Sequence, residues 1–319
     1  MYWSTPANTT TWGTFRDNEA QRNTALAAYK SGDYSNSQWT YVNEAIGYIS
    51  LQDIMPDTYA TFAQNATDFL EYNTDKTTAD LKLNTAQYKG LTAMYDITNQ
   101  YLTSEVGQLE ILLTMLGGTS TVGIQVAHQV SSCPVHLDRQ RQIEWTDASP
   151  FPFRHFLAHQ HPYTRGTVLI SSKSAFDYPV IDPKYYGHQY DIDVTMAGQL
   201  WARKLAASSP MKDFMVSETY PGAGTTGNDL ETWFKAGCTT EYHILGTCSM
   251  LPRDSGGVVD TNLIVYGTKN VRVVDASIMP LQVSAHLMAP AYGVAEKAAD
   301  IVRPLSFFLV VCLPSSYYY

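Results

Sequence analysis

Residues 271–303 combine, in order, a β-prone run, a polar break and a long helix-forming stretch. Val271, Val273 and Val274 make a strand-like segment that ends at Asp275-Ala276-Ser277. Small and polar residues at a strand end are where α/β sheets meet their ligands. Ser284 is placed to cap a helix whose first turn holds His286. Tyr292, Val294, Ala295, Ala298 and Ile301 carry that helix onward, bent or restarted at Pro290. A helix N-terminus favours negative charge, so a histidine in its first turn tends to stay neutral and able to exchange a proton.

A second histidine, His243, lies in the small-residue segment Glu241–Met250. Two such histidines facing one carbon would suit alcohol oxidation. One accepts the hydroxyl proton and the other holds the oxygen. Spacing alone leaves another reading open, that of two unrelated core histidines. The remaining six histidines carry less. His155, His159 and His161 would share one strand face, since the side-chain period is two. No carboxylate or fourth donor stands beside them, so no metal site is expected; they read as hairpin-edge residues on a polar face. His128, His136 and His188 read as structural or exposed.

Upstream, helix-like spacing runs over residues 57–75 and 86–116, the second stretch stopping at Gly117-Gly118. A shorter helix is expected near Glu19–Lys30. From about residue 119 the texture becomes β-prone, with strands expected at Val122–Val130, Phe153–His159 and Thr167–Ser171. Turn residues between the last two suggest a hairpin or a longer loop. Asp191–Ala207 reads as a helix ended by Ser208-Ser209-Pro210.

Charge excludes one class of partner. The 319 residues hold 21 basic and 30 acidic side chains, a net charge of -9, with no basic run. A nucleic-acid binder needs a basic footprint to displace counterions, so none is expected here. The strongest apolar run, Leu305–Leu313, is far short of the ~20 residues of a membrane helix, so no membrane partner is expected. No signal peptide is visible at Met1. The four cysteines match no zinc or redox spacing; Cys238 and Cys248 could bridge or remain two thiols.

Gly222-Ala223-Gly224-Thr225-Thr226-Gly227 satisfies GxGxxG literally. A dinucleotide loop needs a buried apolar strand before it, and here Val216–Pro221 is polar and ends in proline. Glu241 falls near the distance of the acidic partner such loops use, but follows Cys238-Thr239-Thr240 rather than a second apolar strand. The six residues read as an ordinary turn.

Three segments together resemble a known family. They are His243-Ile244-Leu245-Gly246-Thr247-Cys248-Ser249-Met250 with Gly256-Gly257-Val258-Val259-Asp260, then Tyr266–Pro280, then Ser284-Ala285-His286-Leu287-Met288. The order and density of these motifs resemble the C-terminal part of the glucose–methanol–choline (GMC) oxidoreductases. His161–Val168 with Ile181-Asp182-Pro183 resembles their hairpin region more weakly. The resemblance implies an α+β fold: an antiparallel sheet backed by helices as substrate-binding domain, joined to the C-terminal strand and helix of an incomplete FAD-binding domain. It implies residues 1–240 as substrate-binding domain, 241–303 as the catalytic and flavin-contacting segment, and 304–319 as an atypical tail.

The same resemblance implies FAD as cofactor and an alcohol or sugar as substrate. His243 would be the base and His286 the partner of the substrate oxygen. Asp275 and Ala276 would lie along the ribitol and pyrophosphate, and Ala285, His286, Leu287 and Met288 along the flavin edge. The family's glycine-rich N-terminal loop has no counterpart here, so the chain is expected to bind FAD weakly or not at all by itself. Full-length relatives of this kind would be extracellular. The alternative reading is a non-catalytic remnant or accessory protein that keeps the substrate-domain fold.

Overall fold

The computed structural model describes residues 1–4, 15, 18–37, 44–66, 83–114, 153–238 and 240–303. The described residues form an α+β fold with an antiparallel sheet backed by helices. In chain order the elements are β1 (Tyr2–Ser4), α1 (Glu19–Ser31), β2 (Glu44–Ser50), α2 (Leu51–Ile54), α3 (Thr85–Leu102), β3 (Gly107–Thr114) and β4 (Phe153–His159). Then follow β5 (Thr167–Leu169), β6 (Val180–Asp182), α4 (Gln189–Ala207), β7 (Ser217–Tyr220), α5 (Gly227–Ala236) and α6 (Met288–Val302). Residues 59–66 are also helical.

The main sheet has the order β2-β3-β4-β1-β7, every pair antiparallel. Strand β3 lies inside the sheet, paired with β2 and β4, and is buried on both faces. Leu109 and Ile111 join the core beneath α4 with Leu157, Ile192, Val194 and Ala202. Glu110, between them, points to the other face by the period of two and is fully buried there. That alternation carries a carboxylate to the C-terminal segment.

Helix ends follow their sequences. Asn84 caps α3 by accepting from Gln87 N at 3.0 Å, and Gln87 returns a bond to Asn84 N. Asn18 caps α1, and Gly32 ends it in the left-handed conformation. His188, buried, accepts from Tyr190 N to cap α4, so its expected structural role holds. Asp191, in the first turn of α4, accepts from Tyr163 N at 2.8 Å and Thr164 N at 3.0 Å. These bonds fix residues 161–166, which run past the site.

Several expectations are corrected. The stretch 86–116 is a helix only to Leu102; residues 107–114 form the interior strand β3, because apolar residues on both faces of β3 mimic helical spacing. The strands at Phe153–His159 and Thr167–Leu169 exist but do not pair as a hairpin. β4 takes β3 and β1 as neighbours, and β5 takes β6. His159 and His161 are buried rather than on a polar edge, and His161 lies beyond the strand. The Val271–Val274 run makes only one isolated bridge, Ile264 to Arg272. The strand expected at Val122–Val130, Gly117-Gly118, His128, His136 and the 304–319 tail lie outside the described residues.

The glycine-rich hexapeptide is a turn, as expected. It links the edge strand β7 to α5, with Thr225 N donating to Gly222 O at 2.9 Å. Cys238 and Cys248 are not bridged to each other; both are half-buried thiols. Among the described residues no helix is long and apolar enough to cross a membrane.

Candidate active site: a histidine pair over two buried carboxylates

The C-terminal motifs fold onto one another through backbone bonds. Cys248 N donates to Ser277 O at 2.9 Å and Met250 N donates to Ile278 O at 2.8 Å. The segment after His243 thereby lies against the 3-10 turn Ala276–Ile278. Asp275 caps that turn, accepting from Ser277 N at 2.8 Å and from the Ser277 hydroxyl. Behind the Gly246-Thr247 loop lies a cavity of about 520 Å³ between α3 and β5.

Ser284 does not cap a helix. Its hydroxyl donates to Gly107 O at 2.9 Å at the start of β3, and it meets His161 Nε2 at 2.8 Å. It pins the C-terminal loop to the sheet. Helix α6 begins only at Met288, with Leu287 as an N-cap that offers no side-chain bond. His286 therefore precedes the helix rather than occupying its first turn. Pro290 falls in the first turn of α6, where a missing N–H costs nothing, so the helix runs unbroken to Val302.

The result is a meeting of the two histidines. The His243 and His286 rings lie edge to face, with centroids 4.8 Å apart. His286 Nε2 is 2.6 Å from Glu110 Oε1 and 3.7 Å from Glu241 Oε1. Gln160 Nε2 donates to Glu110 Oε2 at 2.9 Å. The His286 side chain is 37% exposed, whereas those of Glu110 and Glu241 are 0% and 5% exposed. The site thus has a buried acidic floor and one open side.

Its electrostatics follow from burial. Burial raises the Glu241 carboxyl well above its ordinary range, and the adjacent Glu110 raises it further. Burial lowers the His243 imidazole, and the neighbouring His286 lowers it again. His243 is therefore neutral near pH 7, with a buried Nε2 that has no hydrogen-bond partner among the described residues. Tyr48, paired across the sheet with Glu110, has its hydroxyl proton held more tightly by burial and by that carboxylate.

The other residues singled out in the sequence lie beside this cluster. Ala276 is half-buried in the 3-10 turn, and Asp275 is exposed with part of its carboxylate committed to the cap. Ala285 N donates to Val283 O, so its amide is already used. Leu287 is buried and Met288 is 74% exposed. Glu110 and Gln160 were not singled out in the sequence. A lone acid within the apolar run Leu109–Leu113 was the available signal, since a buried carboxylate needs a partner. Glu241 was noticed only for its distance from a glycine-rich turn.

An antiparallel-sheet domain whose C-terminal loops bring a histidine pair onto strand β3 is the class that the fold and site define. Residues 162–295 match the family described as GMC oxidoreductase. It is similar to the GMC oxidoreductase family protein Mala s 12 of Malassezia sympodialis, 48% identical over 146 residues, which cover 46% of this chain and 24% of that protein. It is also similar to the glucose oxidase-like protein fsoC of Humicola fuscoatra, 42% identical over 145 residues, or 44% of this chain and 25% of that one. The matched stretch spans about a quarter of those relatives. Among solved structures, an FAD-dependent oxidoreductase from Chaetomium thermophilum shares the fold, with a TM-score of 0.70 and 24% identity over 95% of this chain and 46% of that one. A fungal aryl-alcohol oxidase gives a TM-score of 0.67 at 25% identity over 94% and 45%.

Proposed function

We propose that the chain is the substrate-binding and histidine-bearing part of an FAD-dependent oxidoreductase that oxidises CH–OH groups of an alcohol or sugar. The observation that carries this reading is the His243–His286 ring contact, with the Glu110 carboxylate 2.6 Å from His286 Nε2. His243, neutral and with Nε2 unpartnered among the described residues, accepts the hydroxyl proton. His286, anchored through Nε2 to Glu110, would hold the substrate oxygen by an N–H donated from Nδ1.

The chain's own surface fits a flat aromatic cofactor beside this pair. Val274, Val283, Met288 and Tyr292 expose apolar surface at 42%, 40%, 74% and 70% on the segments that flank His286. The uncapped start of α6 adds backbone N–H groups suited to an anionic edge. Asp275, Ala276 and the Ala285–Met288 backbone would hold the cofactor there. FAD, when bound, supplies the two-electron acceptor for the alcohol carbon.

One observation favours the alternative of a non-catalytic chain. Of the 15 residues of α6 only Ala298 is buried, so an apolar helix is left uncovered by the described residues. One experiment separates the two. Purified chain is mixed with FAD and desalted, and the visible spectrum and dye reduction by a panel of alcohols and sugars are recorded. Co-eluting flavin and alcohol-dependent dye reduction, lost in His243→Asn, support the oxidoreductase. A folded, colourless and inert chain supports the alternative.

A further inference from the structure

Three groups at the site converge as donors more closely than a proton relay requires. One donor atom each from Glu241, His243 and His286 falls within 4.8 Å of the others. His286 Nε2 lies 3.7 Å from Glu241 Oε1. A tetrahedral ion with bonds of about 2 Å sets neighbouring donors about 3.3 Å apart, so displacements on the order of 1 Å would seat these three, with solvent in the fourth position.

Charge points the same way. Two carboxylates are buried side by side, and among the described residues neither pairs with a lysine or arginine. Glu241 is 7% exposed, and neither of its oxygens has a hydrogen-bond partner among the described residues. His243 Nε2 is likewise buried and unpartnered. Unsatisfied buried acceptors that face one another are costly unless a cation or proton joins them. Glu110, itself held by Gln160, meets His286 from behind, as an outer carboxylate steadies a liganding histidine. The exposed side of His286 gives a path of entry.

We propose that Glu241, His243 and His286 bind one divalent first-row transition-metal ion of the zinc type, with solvent as its fourth ligand. The mixed nitrogen and oxygen donor set suits zinc, cobalt or copper better than magnesium or calcium. The ion occupies the lone pair that His243 would use as a base, so it acts as an inhibitor of the proposed oxidation. Ion binding needs neither FAD nor alcohol, so it and the proposed function can fail separately.

The test uses the full chain. Cobalt(II) is titrated in and the visible absorption followed, with zinc(II) as competitor. The expected result is saturation at one ion per chain with the intense bands of four-coordinate cobalt, displaced by zinc. Glu241→Gln and His243→Asn should each abolish the bands while circular dichroism stays unchanged. In the unmutated chain, zinc should shield His243 and His286 from acylation by diethyl pyrocarbonate, read by peptide mass. That measurement decides the matter if a variant fails to fold. Bands that persist in both variants, or an unmutated chain with neither bands nor shielding, would overturn the proposal.

Discussion

His286 Nε2 sits 2.6 Å from Glu110 Oε1, joining residues 176 positions apart in the chain. This contact places the C-terminal loop on the interior strand β3 of the sheet. It also sets one imidazole of the pair apart from the other, because among the described residues His243 makes no such close contact with a carboxylate.

Replacing Glu110 should change the alkaline stability of the chain. The folded carboxyl of Glu241 is raised above its ordinary value of 4.5, chiefly by burial and next by Glu110. A raised acid stabilises the fold while protonated, so this contribution is present at low pH and is lost as pH rises through the folded value. Glu110→Gln removes the like charge and lowers the Glu241 value. Urea unfolding at about pH 6 and about pH 9 should show a smaller alkaline loss in the variant than in the parent. An equal loss would count against the coupling.

Two other buried groups give slopes of opposite sign. Burial lowers His188 from 6.5 to about 4, so the unfolded chain binds the extra proton and stability is lost as pH falls through that window. Burial raises Asp191 from 3.8 to about 6, so its contribution is lost as pH rises through that window. Relative to the parent, His188→Gln should recover stability as pH falls from 6.5 to about 4, by up to about 1.4 kcal/mol per pH unit. Asp191→Asn should show its smallest deficit at the upper end of its own window. Chemical unfolding across both windows reads the two slopes.

Glycine is required where backbone passes close. A methyl group on Gly257 would overlap the Leu251 carbonyl, and one on Gly90 would overlap the Ser255 carbonyl where α3 meets the turn Arg253–Ser255. Gly257→Ala and Gly90→Ala should each cost about 1–3 kcal/mol in urea unfolding. Gly224→Ala meets nothing within 4 Å and should stay within about 0.5 kcal/mol of the parent.

Arg203 and Glu218 tie α4 to the edge strand β7 through a two-pronged ion pair at 2.8 and 2.9 Å. Their side chains are 17% and 4% exposed. Removing one partner strands a mostly buried charge, so Glu218→Gln should cost about 3 kcal/mol. Arg203→Met with Glu218→Leu should cost less than the two single changes added. Additive costs in the double-mutant cycle would show that the pair is not coupled.

Helices α1, α4 and α6 and strand β4 were legible because each shows its own period and end signals. Strand β3 was not. With Leu109, Ile111 and Leu112 buried on its two faces, its pattern has no period of two to read. The pairing of β4 with β3 and β1 was equally out of reach, since neither partner adjoins it across a short turn. Ser284 looked like a helix cap because hydroxyl residues before apolar runs usually are. Here Gly107 O and His161 compete for that hydroxyl, and both come from distant segments.

His243 and His286 were marked by their own sequence neighbourhoods, as were the family motifs around them and the exclusion of a basic, nucleic-acid-binding surface. Those properties are local, or sums over residues, and need no fold. The tertiary structure alone decided that the two rings touch, and that Glu110 and Glu241 lie beneath them. A carboxylate's partner and its burial depend on which strand face meets which loop. That is set by packing between segments 176 positions apart in the chain, which no local pattern encodes.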